Sequence, residues 1–326
     1  VGIIVLVFLI LAVRTAFIQV IAPDALIEQG DSRTLRTRNT PTYRGLITDR
    51  NGVELAVSVP VRAIWADPKI INEQNGLNQT RRWLALAEVL GQDVDELVGK
   101  VGNPKRRFVY LQRQVSPAMA DYVEKLEIPG VYLRKESRRY YPTGEVAAQL
   151  IGITNVDDKG IEGLERLYDD WLTGSPGTRK IRRDAKGRQV EVLESKDGEA
   201  AGNLTLTIDQ RIQALAYREI KEAMLYYQAS SASAIVIDVH SGDILAMVNA
   251  PSFNPNDRSD ISPRRMRNRV ITDAFEPGSS LKPLAVLSAL EFGAVKVGDI
   301  VDTSPGWMRL GGSLVKDFRN YGKLSL

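Results

Sequence analysis

A serine and a lysine three residues apart, Ser279 and Lys282, are the pair of side chains in this sequence best placed to do chemistry. They lie in Phe275-Glu276-Pro277-Gly278-Ser279-Ser280-Leu281-Lys282-Pro283. At the start of a helix, a Ser-x-x-Lys puts a hydroxyl and an amine one turn apart on the same face. That is the smallest arrangement in which a lysine serves as general base for a serine nucleophile. Rival chemistries lack their residues. The chain has one histidine and no cysteine, so a Ser-His-Asp triad, a Cys-His pair and a thiolate zinc site have almost nothing to be built from.

The motif needs its context, because a chain of this length carries roughly one Ser-x-x-Lys by chance. A second stands at Ser313-Leu314-Val315-Lys316, after Gly311-Gly312, in a segment that reads as strand or loop. Ser279 instead follows Pro277-Gly278, a turn pair. The apolar run Leu284-Ala285-Val286-Leu287-Ser288-Ala289-Leu290 comes next and predicts a helix ending near Gly293. Pro283 falls in or beside its first turn, where a missing N–H is tolerated. Ser279 is therefore expected to be the nucleophile and Lys282 its base. The plain alternative is an ordinary N-cap serine. No cofactor and no metal site are expected.

At 326 residues there is room for two domains and an anchor. The 43 basic and 40 acidic residues leave a net charge of +3, so nothing argues for nucleic acid. The absence of cysteine fits an envelope protein and equally many cytosolic ones. Residues 1–13 are apolar throughout, Arg14 interrupts, and Thr15-Ala16-Phe17-Ile18-Gln19-Val20-Ile21 continues. Thirteen residues fall short of the ~20 that span a bilayer. The first residue is not Met, so more apolar residues are expected upstream. Residues 1–21 read as a transmembrane anchor whose Arg14 snorkels to the interface. A signal-peptide core lacks its small-residue cleavage site here, and a buried helix is the third reading.

The elements that position the serine follow. Residues 22–43 are polar and basic and read as a juxtamembrane linker. Asn51-Gly52 predicts a hairpin over residues 44–56, with Asp49 and Arg50 as a turn aspartate and a structural ion pair. Residues 80–100 form an amphipathic helical pattern with a break at Gly91. Ser116-Pro117 opens a helix reaching about Leu126, and residues 161–172 read as one helix closed by Gly174. The basic runs at 134–139 and 179–183 read as solvated strand edges. This middle region mixes α and β and shows no chemical constellation. Beyond Gly202, residues 204–208 alternate like a strand and Asp209 caps a helix. Two apolar strands then flank a turn at Val239-His240-Ser241-Gly242, which makes His240 a surface residue rather than a base.

In its order and spacing of motifs the chain resembles the class B penicillin-binding proteins, and within them the septal, FtsI-type peptidoglycan D,D-transpeptidases of Gram-negative bacteria. Carrying the resemblance are Arg44-Gly45-Leu46-Ile47-Thr48-Asp49-Arg50-Asn51-Gly52, Ser137-Arg138-Arg139-Tyr140-Tyr141-Pro142-Thr143-Gly144-Glu145-Val146 and Gly160-Ile161-Glu162-Gly163-Leu164-Glu165. Ala56-Val57-Ser58-Val59-Pro60-Val61, Pro251-Ser252-Phe253-Asn254-Pro255-Asn256, Met266-Arg267-Asn268-Arg269 and the block 275–283 complete it.

The resemblance implies an α+β fold: a transmembrane anchor at 1–21, a linker at 22–43, a mixed pedestal (dimerisation-type) domain at 44–201, and at 202–326 the N-terminal part of a serine β-lactamase-like transpeptidase domain. It implies a single-pass protein of the bacterial inner membrane with its catalytic part in the periplasm. The implied substrates are peptidoglycan stem peptides, the implied inhibitors β-lactams, and the implied partners a septal membrane glycosyltransferase and other division proteins. The family's Ser-x-Asn and Lys-Thr-Gly or Lys-Ser-Gly motifs do not follow residue 282. Truncation at both ends is the expectation, and with it that these 326 residues alone are not a competent transpeptidase. An elongation-type paralogue, a non-catalytic division scaffold, and a β-lactamase or β-lactam sensor are the competing readings. A bifunctional class A enzyme would need a glycosyltransferase domain that the segment after residue 21 does not show.

Overall fold

The structure, a computed structural model, describes residues 2–17, 28, 30–32, 34–40, 43–184 and 189–326. It divides into two compact units, Val1–Thr272 and Asp273–Leu326.

The larger unit begins with helix α1 (Gly2–Ala16). Fifteen residues at 1.5 Å each reach about 22 Å, short of a ~30 Å hydrocarbon core. Among the described residues no helix is long and apolar enough to cross a membrane, and the remainder of the expected anchor, 18–21, lies outside them. Strand β1 (Leu35–Thr40) follows. Next comes the hairpin of β2 (Ile47–Thr48) and β3 (Glu54–Ala66), paired Ile47↔Ala56 and turning at Asn51-Gly52 as its sequence predicts. The buried Asp49 carboxylate holds that turn, accepting from the N–H groups of Asn51 (2.7 Å) and Val53 (2.8 Å). Its partners are amides, so the ion pair expected with Arg50 is replaced by a turn closed on one carboxylate.

Helices α2 (Pro68–Glu73), α3 (Thr80–Leu90) and α4 (Val94–Val101) come next. Gly91 ends α3 and Asp93 caps α4, which splits the long amphipathic pattern where its glycine stood. Strand β4 (Val109–Val115), helix α5 (Pro117–Lys125, capped by Ser116) and strand β5 (Val131–Tyr140) complete this half. The thirteen-residue β3 is the spine, with β4 and β5 both antiparallel to it. One face of these strands meets α2 to α5 in a core of Ile64, Ile71, Trp83, Leu86, Leu97, Leu111 and Val123. Burial of such side chains stabilises by roughly 1.5–3 kcal/mol each.

Helix α6 (Ala148–Ile151) leads to α7 (Gly163–Leu167) and α8 (Asp169–Thr173). The single helix expected over 161–172 is thus two short ones, broken at Tyr168, and it starts late. The reason is a close crossing. A Cβ on Gly152 would sit 1.8 Å from the Glu162 carbonyl oxygen, and one on Gly163 2.6 Å from the Gly152 nitrogen. Gly152 and Gly163 also adopt positive φ, 79° and 61°, which glycine tolerates without strain. The chain must remain extended at Glu162 to make this passage.

Strands β6 (Gly177–Arg183) and β7 (Gln189–Lys196) form a three-stranded sheet with β1. β8 (Leu204–Thr205) adds in parallel to β2. Helix α9 (Gln210–Tyr226), capped by Asp209, packs on the hairpin of β9 (Ala232–Ile237) and β10 (Ile244–Ala250). Short helices α10 (Pro263–Met266) and α11 (Arg269–Thr272) close the unit. A second core gathers Ile47, Leu55, Tyr141, Ile151, Leu172 and Phe253.

Around this core runs a buried ionic network. The strand edge expected at 134–139 is solvated at Arg134, Lys135 and Arg138, and only Arg139 is buried, in this network; the run 179–183 lies instead on β6, between β1 and β7. The Arg44 and Arg139 side chains are each 1% exposed and flank the fully buried Glu165. Arg44 Nε donates to Glu165 Oε2 at 2.6 Å and Arg139 Nε to Oε1 at 2.7 Å. Arg44 also bridges to Asp169 at 2.6 Å. Two buried glutamines tie later segments to earlier ones. Gln213 donates to the carbonyls of Val146 and Met247 and accepts from the Met247 N–H. Gln149 donates to those of Pro251 and Arg265.

The smaller unit holds α12 (Lys282–Glu291) and two strand pairs: β11 (Ile300–Asp302) with β14 (Lys323–Ser325), and β12 (Trp307–Leu310) with β13 (Ser313–Lys316).

Candidate active site

Gly278 to Leu281 forms a 3₁₀ turn that passes directly into α12. Pro277 precedes it and Pro283 sits in the first turn of the α-helix, where its missing N–H leaves no carbonyl unserved. Gly278 has φ +55° with open space around its Cβ position, so backbone conformation rather than room selects glycine here. The turn is closed by Ser280 N–H to Pro277 O at 3.2 Å and by Lys282 N–H to Ser279 O.

Ser279 is therefore not an N-cap in extended conformation but the second residue of a helical turn. Two consequences follow. At three residues per turn, positions i and i+3 eclipse, so the path from Ser279 to Lys282 lines up their Cβ atoms more directly than an α-helix does. An N–H this early in a helical run has no acceptor within it, which leaves the Ser279 N–H available to an oxygen placed beside the Oγ. The turn and α12 are exposed within their unit, with Leu284 at 62% and Leu287 at 59%.

The second Ser-x-x-Lys is placed differently. Ser313 to Lys316 is β13 throughout. In a strand, i and i+3 point to opposite faces, so Ser313 and Lys316 cannot cooperate. His240 lies in the β9–β10 turn, exposed, its N–H donating to Asp238 Oδ1 at 2.8 Å. Among the described residues no group of three His, Asp or Glu side chains is placed to hold a metal ion.

Sequence reasoning missed the Arg44–Glu165–Arg139 network. Its members lie in three of the sequence blocks singled out above, but 121 and 26 residues separate each arginine from the glutamate. One signal was present: an arginine in each of two blocks and a glutamate in the third.

Two family models match the chain. The Penicillin-binding Protein dimerisation domain matches residues 39–206 and the Penicillin binding protein transpeptidase domain residues 232–324. The peptidoglycan D,D-transpeptidase FtsI of Escherichia coli K12 is 51% identical over 326 residues, all of this chain and 55% of that protein. The probable peptidoglycan D,D-transpeptidase PbpC of Pseudomonas aeruginosa is 40% identical, over 93% of this chain and 53% of that protein. Among solved structures, a peptidoglycan synthetase from Bifidobacterium adolescentis aligns with a TM-score of 0.61 at 28% identity, covering 88% of this chain and 56% of that one. The complex between Penicillin-Binding Protein (PBP2) and MreC from Helicobacter pylori gives a TM-score of 0.70 at 20% identity, over 89% of this chain and 59% of that one, and supports the fold alone. The chain spans about half the length of the curated relatives it matches.

Proposed function

The chain belongs to the class B penicillin-binding proteins, and we propose that the whole protein is a septal, FtsI-type peptidoglycan D,D-transpeptidase to which these residues contribute the nucleophile. The observation that carries the reading is the placement of Ser279 and Lys282 on one helical turn inside the span matched by the transpeptidase model.

In this reading Lys282 Nζ, neutral at the moment of reaction, takes the proton from Ser279 Oγ. The oxygen attacks the carbonyl of the penultimate D-Ala of a stem peptide. The Ser279 N–H stabilises the oxyanion as one preorganised donor; losing such a donor costs about 3–4 kcal/mol. The C–N bond breaks, the terminal D-Ala leaves with the proton on its amine, and an acyl-enzyme remains. The amine of a neighbouring stem peptide attacks that ester, forms the cross-link and frees the serine. A β-lactam follows the first half: its ring amide opens on Ser279 and the leaving nitrogen stays tethered.

The remaining assignments follow the same proposal. Residues 1–21 belong to a single-pass inner-membrane anchor, for which the apolar α1 is the support. Residues 22–43 are the linker, 44–201 the pedestal and 202–326 transpeptidase sequence, on the periplasmic side. A septal membrane glycosyltransferase and other division proteins are the partners. Identity of 51% across the whole chain to an FtsI supports the septal over the elongation role.

The test is release of D-Ala from a pentapeptide donor by the whole protein. Ser279→Ala is expected to abolish release while circular dichroism stays unchanged. Release undiminished in Ser279→Ala would defeat the proposal.

A further inference from the structure

A pocket of about 290 Å³ in the larger unit is lined, among the described residues, by four arginines, several amides and no carboxylate. Its walls come from β4, from the end of β5, from the loop at Thr154-Asn155 and from the segment ending at Arg258. Four of the nearby acids are already engaged. Glu136 and Asp157 pair with Arg113 at 2.9 and 2.7 Å. Glu165 is shared by Arg44 and Arg139, and Asp257 accepts from the Ser259 N–H and Oγ.

Among the described residues, Arg138 and Arg258 have no carboxylate partner. Arg138 Nη2 donates to the Asn256 carbonyl at 3.2 Å, and Arg258 Nη2 to that of Thr154 at 2.6 Å. Those bonds orient each guanidinium yet use only one of its five N–H donors. Gln114, also on the wall, holds φ +56°. A non-glycine residue persists in that region only where its surroundings fix it. Two oriented guanidinium forks thus line one small polar pocket, and guanidinium binds oxyanions through paired, charge-assisted hydrogen bonds.

We propose that this pocket binds one oxyanion, a carboxylate or a phosphate group of a larger ligand, held between Arg138 and Arg258. Arg138 lies in the span matched by the dimerisation model and Arg258 in that matched by the transpeptidase model. A bound anion therefore joins the two regions. The proposal rests on the pocket alone and is independent of the transpeptidase reading.

The experiment is isothermal titration of the 326-residue chain with inorganic phosphate and, separately, with acetate, at constant ionic strength in chloride. Saturable one-to-one binding of at least one anion is expected. Arg138→Gln and Arg258→Gln should each weaken it by about tenfold or more. Both side chains are exposed, so the variants are expected to fold. Arg134→Gln, on the same strand but outside this pocket, should bind as wild type. Tighter phosphate binding points to a phosphate-bearing ligand and tighter acetate binding to a carboxylate-bearing one. Absence of saturable binding by either anion, or equal binding in wild type and both glutamine variants, overturns the proposal.

Discussion

The two units of this protein hold their shape by different means. Val1–Thr272 contains two apolar cores, a buried ionic network and glutamine cross-ties. In Asp273–Leu326 only Gly306 is buried, yet that unit carries Ser279 and Lys282. Burial orders the first, whereas in the second the turn that carries Ser279 is ordered locally, by Pro277, the left-handed Gly278, the 3₁₀ turn and Pro283. A scaffold can thus be ordered through its core while the turn bearing the proposed nucleophile is set by a few backbone choices. The two kinds of order should fail in different ways.

The sharpest contrast comes from Glu165→Ala. It leaves Arg44 and Arg139 buried without their shared partner, and the expected cost is about 3–5 kcal/mol. A urea-unfolding midpoint followed by tryptophan fluorescence reads it, with Trp83 in the first core as reporter. A loss below ~1 kcal/mol would show that the network is not what holds the larger unit.

Hydrogen exchange compares the units directly. Amides of β3 and α3 are expected to exchange only through global opening, those of α12 through local opening and roughly a hundredfold faster or more. Equal protection would erase the distinction.

Asp49 gives a smaller effect with a pH signature. Burial raises its pKa, but hydrogen bonds from the N–H groups of Gln210, Val53 and Asn51, with one from the Asn51 side chain, outweigh burial and leave it below 3.8. A folded-state value below the unfolded one gives stability that is complete above the unfolded value and is lost as pH falls through the folded one. Asp49→Ala is expected to cost about 2 kcal/mol at pH 7, from buried amides left without an acceptor. Thermal melts should show the gap between wild type and Asp49→Asn shrinking as pH drops below about 4. A gap independent of pH would contradict the assignment.

The smallest effect belongs to the turn that carries Ser279. Gly278→Ala places a Cβ at φ +55° and should cost about 1–2 kcal/mol locally. In the whole protein the expected result is slower penicillin acylation with an unchanged unfolding midpoint. A large midpoint shift would mean that this turn, too, is held by a core.

Much of this was legible in the chain. Asn51-Gly52 gave its hairpin, Ser116-Pro117 and Asp209 their helix starts, Gly91 its break, and the Pro-Gly entry separated Ser279 from Ser313. These are local signals, decided within a few residues. What was not legible is tertiary. Arg139 read as solvated, within a basic run, because the glutamate it shares with Arg44 lies 26 residues further along the chain. The Gly152–Gly163 crossing depends on two backbones meeting, which no periodicity encodes. A 3₁₀ turn and an α-helical one share the same i, i+3 spacing, so the kind of turn that carries Ser279 emerged only from the fold.

The central claim is that Ser279 is the nucleophile. Its most direct test is to acylate the whole protein with a fluorescent penicillin, digest it and locate the adduct by mass spectrometry. One adduct on the peptide containing Ser279, absent from Ser279→Ala, is the predicted result. An adduct on Ser280 or Ser313, or labelling that survives Ser279→Ala, would contradict it.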